Sequence, residues 1–139
     1  MKRNTIFILL LFIYFDSLSQ NLIQIIETNK LEKIIVENQN FQKLSGNVII
    51  DYADMKISLD TMIINDTNTV LNGWGNVNIN NDSVYIKSDS IFLLKEQEKI
   101  FFFNNVSFNN DTVNIETNYM EYDYQNDIIK YKDGGRVKM

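Results

Sequence analysis

Four seven-residue stretches of this chain share one pattern, and their spacing limits the folds open to it. IETNKLE begins at Ile26, ISLDTMI at Ile57, IKSDSIF at Ile86 and IETNYME at Ile115, steps of 31, 29 and 29 residues. Each reads Ile, two residues, Asn or Asp, one residue, then Leu, Met or Ile. Apolar residues alternate around them: Ile50, Ile57, Met62 and Ile64; Val77, Ile79, Val84, Ile86, Ile91 and Leu93; Val106, Phe108, Val113, Ile115, Met120 and Tyr122. A period of two is the signature of strands that bury one face, and the Val, Ile, Phe, Tyr and Thr content agrees.

Turn residues bound these strands. NNDS at 80–83 and NNDT at 109–112 stand at matching positions, and 65–68, 95–98 and 125–127 fill the opposite turns. Asn and Asp tolerate left-handed backbone and bond to it locally. One repeat therefore reads as a strand out, a strand back and two turns, which makes the whole a β-meander.

Parity adds a further constraint. Val84 and Ile86 share a face, as do Ile91 and Leu93, yet the step from 86 to 91 is odd. A flat strand would put the two pairs on opposite faces. The switch recurs at 59–61, 88–90 and 117–119, which predicts a bulge or bend in each heptad, with Asp60, Asp89 or Asn118 relieving the backbone there. Gly46-Asn47-Val48, Gly75-Asn76-Val77 and Asn104-Asn105-Val106 each begin 11 residues before a heptad, and Gly135-Arg136-Val137 follows the last one. Gly or Asn inside a strand predicts that the return strands bend too. Strands of about a dozen residues that bend in the middle can belong to two facing sheets.

Composition narrows function. The 139 residues suit one domain, and 45% hydrophobic content supports a core. The chain has no Cys, His or Pro. Disulfides, thiolate nucleophiles and cysteine zinc sites are excluded, and so are the commonest general base and metal ligand. The carboxylates Asp51, Asp54, Asp82 and Asp111 fall in turns or on outward faces, so a two-carboxylate hydrolytic site is disfavoured. The Asn-Asp turns lack an EF-hand pattern. Gly73-Trp74-Gly75 is followed by no lysine or helix, so it is no phosphate loop; Trp74 lines the interior or stands at the rim. No catalytic residue, cofactor or metal ligand is assigned.

Lys2 and Arg3 precede the uncharged run IFILLLFIYF at 6–15, and small residues follow at Ser17 and Ser19. This predicts an export signal over residues 1–19, cleaved to leave Gln20; the run is shorter than the roughly 20 residues of a membrane span. Removing Lys2, Arg3 and Asp16 takes the 13 basic residues to 11 and the 18 acidic ones to 17, a net charge of −6. Nucleic acid is therefore a poor partner.

An export signal followed by Gly-x-Val units about 29 residues apart, with Asp-bearing strands between them, resembles the OstA-like family of periplasmic lipopolysaccharide-transport proteins. The residues that carry the resemblance are Leu44-Ser45-Gly46-Asn47-Val48, Gly73-Trp74-Gly75-Asn76-Val77, Ile26-Glu27-Thr28-Asn29 and the heptads of Asp60 and Asp89. It implies an all-β fold: an open jelly-roll of two facing sheets over residues 20–139, shorter than a full family domain. It also implies a periplasmic carrier that shelters lipid A acyl chains of lipopolysaccharide. The alternating residues from Ile50 to Tyr122 named above would line its trough. Edges near Leu22 and Ile26, and near Arg136 and Val137, would pair with a second copy or with other bridge components. Asn104 departs from the family's glycine. The competing expectations are a secreted β-repeat protein with a closed core and a carbohydrate-binding β-domain.

Overall fold

Strand-forming alternation between polar turns produces ten strands in the computed structural model, which describes residues 22–132 and 136–138. They are β1 (Gln24–Glu27), β2 (Lys30–Val36), β3 (Gln39–Tyr52), β4 (Met55–Asn65), β5 (Val70–Asn80), β6 (Tyr85–Leu94), β7 (Lys99–Asn109), β8 (Asn114–Asp123), β9 (Ile128–Lys132) and β10 (Arg136–Lys138). The export segment, Gly135 and Met139 lie outside the described residues. The strands form one antiparallel sheet in the order β1-β3-β4-β5-β6-β7-β8-β10, with β2 also on β3 and β9 also on β8. Two-residue turns at Glu37–Asn38 and Ala53–Asp54 have both residues at positive φ, the geometry that matches strand twist in tight hairpins. Elsewhere side chains close the turns. Asn81 Oδ1 accepts from the amides of Ser83 and Val84, and Asn110 Oδ1 from those of Thr112 and Val113.

The sheet folds along one crease. Each ladder from β3–β4 to β7–β8 shifts register midway, at 45/48, 58/61, 74/77, 87/90 and 103/106. The extra residue always lies on β3, β5 or β7. There Gly46–Asn47 (φ 80° and 48°), Gly75–Asn76 (85° and 48°) and Asn104–Asn105 (64° and 51°) are successive left-handed residues. This corrects one expectation. The heptad strands β4, β6 and β8 have no positive-φ residue of their own at the crease, and the bulge sits on the returning strand.

The heptad acids serve the bulge from the neighbouring strand. Asn76 Nδ2 donates to Asp60 Oδ2 at 3.0 Å, and Asn105 Nδ2 donates to Asp89 Oδ2 at 2.7 Å. A Cβ on Gly75 would lie 2.5 Å from Asp60 Oδ2, and one on Gly46 would lie 2.7 Å from Asn29 Nδ2. The heptad's short polar residue and the Gly/Asn pair 16 or so residues later are thus two halves of one device. Gly73 faces inward at the crease, where a Cβ would meet Leu59 Cδ1. The crease divides the sheet into two leaves. The first leaf holds 48–52, 55–59, 77–80, 85–88, 106–109 and 114–117, bordered by β1 and β10. The second holds 41–45, 61–65, 70–74, 90–94, 99–103 and 119–123, bordered by β2 and β9.

Candidate functional site: the space between the leaves

The parity switch sends apolar residues on both sides of the crease into one interior. Ile57 and Met62, Ile86 and Ile91, and Ile115 and Met120 are buried in a single core. So are Ile50, Ile64, Val77, Ile79, Leu93, Val106, Phe108 and Tyr122, while Val84 and Val113 are partly buried against it. The alternation thus located the interior. It missed Leu44, Leu71, Ile100 and Phe102, which are equally buried. Phe101-Phe102-Phe103 hides its alternation because all three residues are aromatic; burial alone separates Phe102 from the exposed Phe103.

The interior is filled by these side chains: Leu44, Ile50, Ile57, Met62, Phe102 and Met120 are fully buried. It opens at the hairpin tips, where a cleft of about 530 Å³ lies between the leaves. Val84, Phe108, Val113 and Ile115 of the first leaf and Tyr122 and Ile129 of the second give it an apolar wall. Asn81, Ser83, Asn110, Asp111, Thr112 and Asp127 form its polar margin. Tyr122 donates to Asp127 Oδ1 at 2.8 Å. Burial first, and then this carboxylate, hold the Tyr122 phenol well above its ordinary range. Asp127 stands in the turn before β9 with φ of 55°. The cleft falls within the usual size of ligand pockets, roughly 300–1,000 Å³. Its walls offer contact area and hydroxyls, with no paired acid and base. Among the described residues no cluster of three or more acidic residues could hold a metal ion.

The crease positions of the second leaf form a row on the opposite, outer face. Thr61, Trp74, Ser90, Phe103, Tyr119 and Lys132 are register partners from strand to strand. Trp74 is 42% exposed; it stands on the outer face at the crease, neither in the interior nor at the rim where the sequence reading placed it. Phe103 and Tyr119 stack with centroids 5.6 Å apart, and the Lys132 ammonium stands 5.8 Å from the Tyr119 ring. Gly73-Trp74-Gly75 is accordingly one inward, one outward and one left-handed residue in succession.

The lateral edges carry exposed apolar side chains among charged ones such as Lys30, Lys33 and Lys130. Leu22 and Ile26 are exposed beside and on β1, and Arg136 and Val137 lie on β10, paired with Glu116 and Ile115. Each edge consists of two strands, which the sequence reading did not separate. The first heptad is broken between β1 and β2 at Thr28–Asn29, where the Asn29 amide donates to the Gly46 carbonyl at 2.8 Å. Ile26 and Leu31 are therefore exposed where their counterparts in later heptads are buried. Ile35 and Val36 on β2, and Ile128 and Tyr131 on β9, are exposed as well.

A folded antiparallel sheet with an apolar interior, opening at the leaf tips and bounded by two free edges, defines an open β-jelly-roll without a catalytic constellation among its described residues. The chain belongs to the OstA-like protein family, whose model matches residues 20–138. Its structure is similar to the crystal structure of LptH from Pseudomonas aeruginosa, the LptA-homologous periplasmic component of the conserved lipopolysaccharide transport device. The TM-score is 0.70 at 12% sequence identity, covering 84% of this chain and 92% of that one. A search of the curated proteins found no match.

Proposed function

We propose that this protein is a periplasmic carrier that shelters the acyl chains of lipopolysaccharide between its leaves and forms one component of a transport bridge to the outer membrane. The observation that carries this reading is the apolar interior opening into the cleft of about 530 Å³ between leaf tips, in a chain of the OstA-like family. Each methylene moved from water into such a space contributes about 0.8 kcal/mol, so acyl chains are held without specific polar contacts. The phosphorylated sugar stays near solvent, outside the leaves. The work is carriage rather than catalysis. Residues 1–19 direct export and are removed, and residues 20–139 are the carrier. The edges pair with a second copy or a related component, since unpaired strands with exposed apolar side chains invite strand addition.

Photo-crosslinking from the cleft and interior tests the reading. A photoreactive residue at Phe108, Val113 or Ile91 should yield lipopolysaccharide adducts in cells, whereas one at the distant tip residues Glu96 or Glu37 should not. The fully packed interior favours a second reading, a structural β-repeat protein with a closed core. Equal or absent labelling from both sets selects that one.

A further inference from the structure

Away from the crease, one directional side-chain contact joins the two leaves among the described residues. Tyr52, the last residue of β3 in the first leaf, and Tyr124, the residue after β8 in the second, place their hydroxyls 2.7 Å apart across 72 residues of sequence. Their rings meet edge to face with centroids 5.8 Å apart. The remaining side-chain hydrogen bonds between leaves follow the crease, as from Asn76 to Asp60, Asn105 to Asp89, and Thr117 to the Lys132 carbonyl. Among the described residues, the other side-chain contact between leaves is apolar, which has no preferred direction.

The tie stands at the leaf tips, where one cleft lies on the first leaf and another between the leaves. Tyr52 lines a cleft of about 500 Å³ with Leu22, Ala53 and Met55. Tyr122, two residues before Tyr124, lines the cleft of about 530 Å³. Paired left-handed residues and the Asp–Asn bonds stiffen the crease, and the interior is filled by its own side chains. An acyl chain can pass inward only if the tips part, and the tips are joined there by a single hydrogen bond between neutral groups, which forms and breaks readily.

We propose that the Tyr52–Tyr124 pair is a clasp across the open side of the jelly-roll, and that its release admits acyl chains from the cleft into the interior. This rests on the lipid-carrying reading above. The clasp holds the tips closed over an apolar interior that would otherwise meet water, and it yields as acyl chains replace the side-chain contacts between leaves.

The chain has no cysteine, so a Tyr52→Cys/Tyr124→Cys variant can be bridged by a short, reducible bis-methanethiosulfonate linker. Uptake of fluorescent lipid A is measured with the linker in place, after reduction, and in the unaltered protein, with circular dichroism to show that all forms keep the β-fold. Uptake should be at least tenfold slower when linked and recover on reduction. A Tyr124→Phe variant keeps the ring and loses the hydroxyl bond, and should take up lipid A at least threefold faster than the unaltered protein. Linked protein that loads as fast as reduced protein, or a Tyr124→Phe variant with an unchanged rate, overturns the clasp and leaves the carrier intact. Failure of the unaltered protein to bind lipid A overturns the carrier reading and the clasp with it.

Discussion

A residue in a left-handed conformation next to a neighbour's side chain is the most sensitive position in this fold. Gly75 has a φ of 85° and faces Asp60 at a distance where no Cβ fits. The left-handed region alone costs an ordinary L-residue about 1–2 kcal/mol, and displacing Asp60 removes its bond from Asn76 as well. Gly75→Ala should therefore lower unfolding stability by about 2 kcal/mol or more in urea titrations; a loss under about 0.5 kcal/mol would mean that the bulge does not need glycine. Asp60→Ala loses a single exposed charge-assisted bond, for which about 1 kcal/mol is expected. Asp60→Asn should recover most of that, because Asn29 and Asn118 occupy the same heptad position.

At the scale of elements, the hairpin tips carry a cluster of neutral phenols. Burial is the largest cause that raises Tyr52, Tyr122 and Tyr124 above the ordinary phenol value of 10.0. Tyr124 is further raised by its bond with Tyr52 and by Glu98 and Asp123, and Tyr122 by Asp127. In the unfolded chain these phenols ionise near pH 10, while in the folded protein they hold their protons longer. Between those values the folded state binds more protons, so stability falls as pH rises. Stability should be level with respect to these groups below pH 10 and decline above it, followed by chemical denaturation at stepped pH. Phenolate absorbance should show a late phase that a Tyr52→Phe/Tyr122→Phe/Tyr124→Phe variant lacks. Absence of a late phase in the unaltered protein would contradict the burial of these rings.

For the molecule as a whole, the free edges decide whether one copy can extend another. Ile35 is 73% exposed on β2, and charge at such a position is the usual device that keeps an edge from pairing. Leu31→Lys/Ile35→Lys should abolish concentration-dependent association in sedimentation experiments while leaving the β-spectrum unchanged. Deleting residues 133–139 removes β10, which pairs with β8 only at 114–116. That deletion should weaken association and spare the remaining meander, because neighbouring repeats hold one another. Full-length protein that stays monomeric at every concentration and captures no envelope partner would sink the bridge.

The alternation from Ile50 to Tyr122, the Asn-rich turns and the odd step inside each heptad by themselves determined the meander, its interior face and the presence of a crease. These features are legible because each reports the orientation of a side chain relative to its own strand. Tertiary structure decided which strand carries the extra residue, what Asp60 and Asp89 bond to, and that Trp74 faces outward while Phe102 faces in. It also decided that the first heptad splits into β1 and β2, and that Tyr52 and Tyr124 meet. Those outcomes depend on what lies across a strand pair or across the sandwich. A local period says nothing about a partner 16 residues away on the next strand or 72 residues away on the facing leaf, because register and the crossing of the leaves exist only once the sheet has folded.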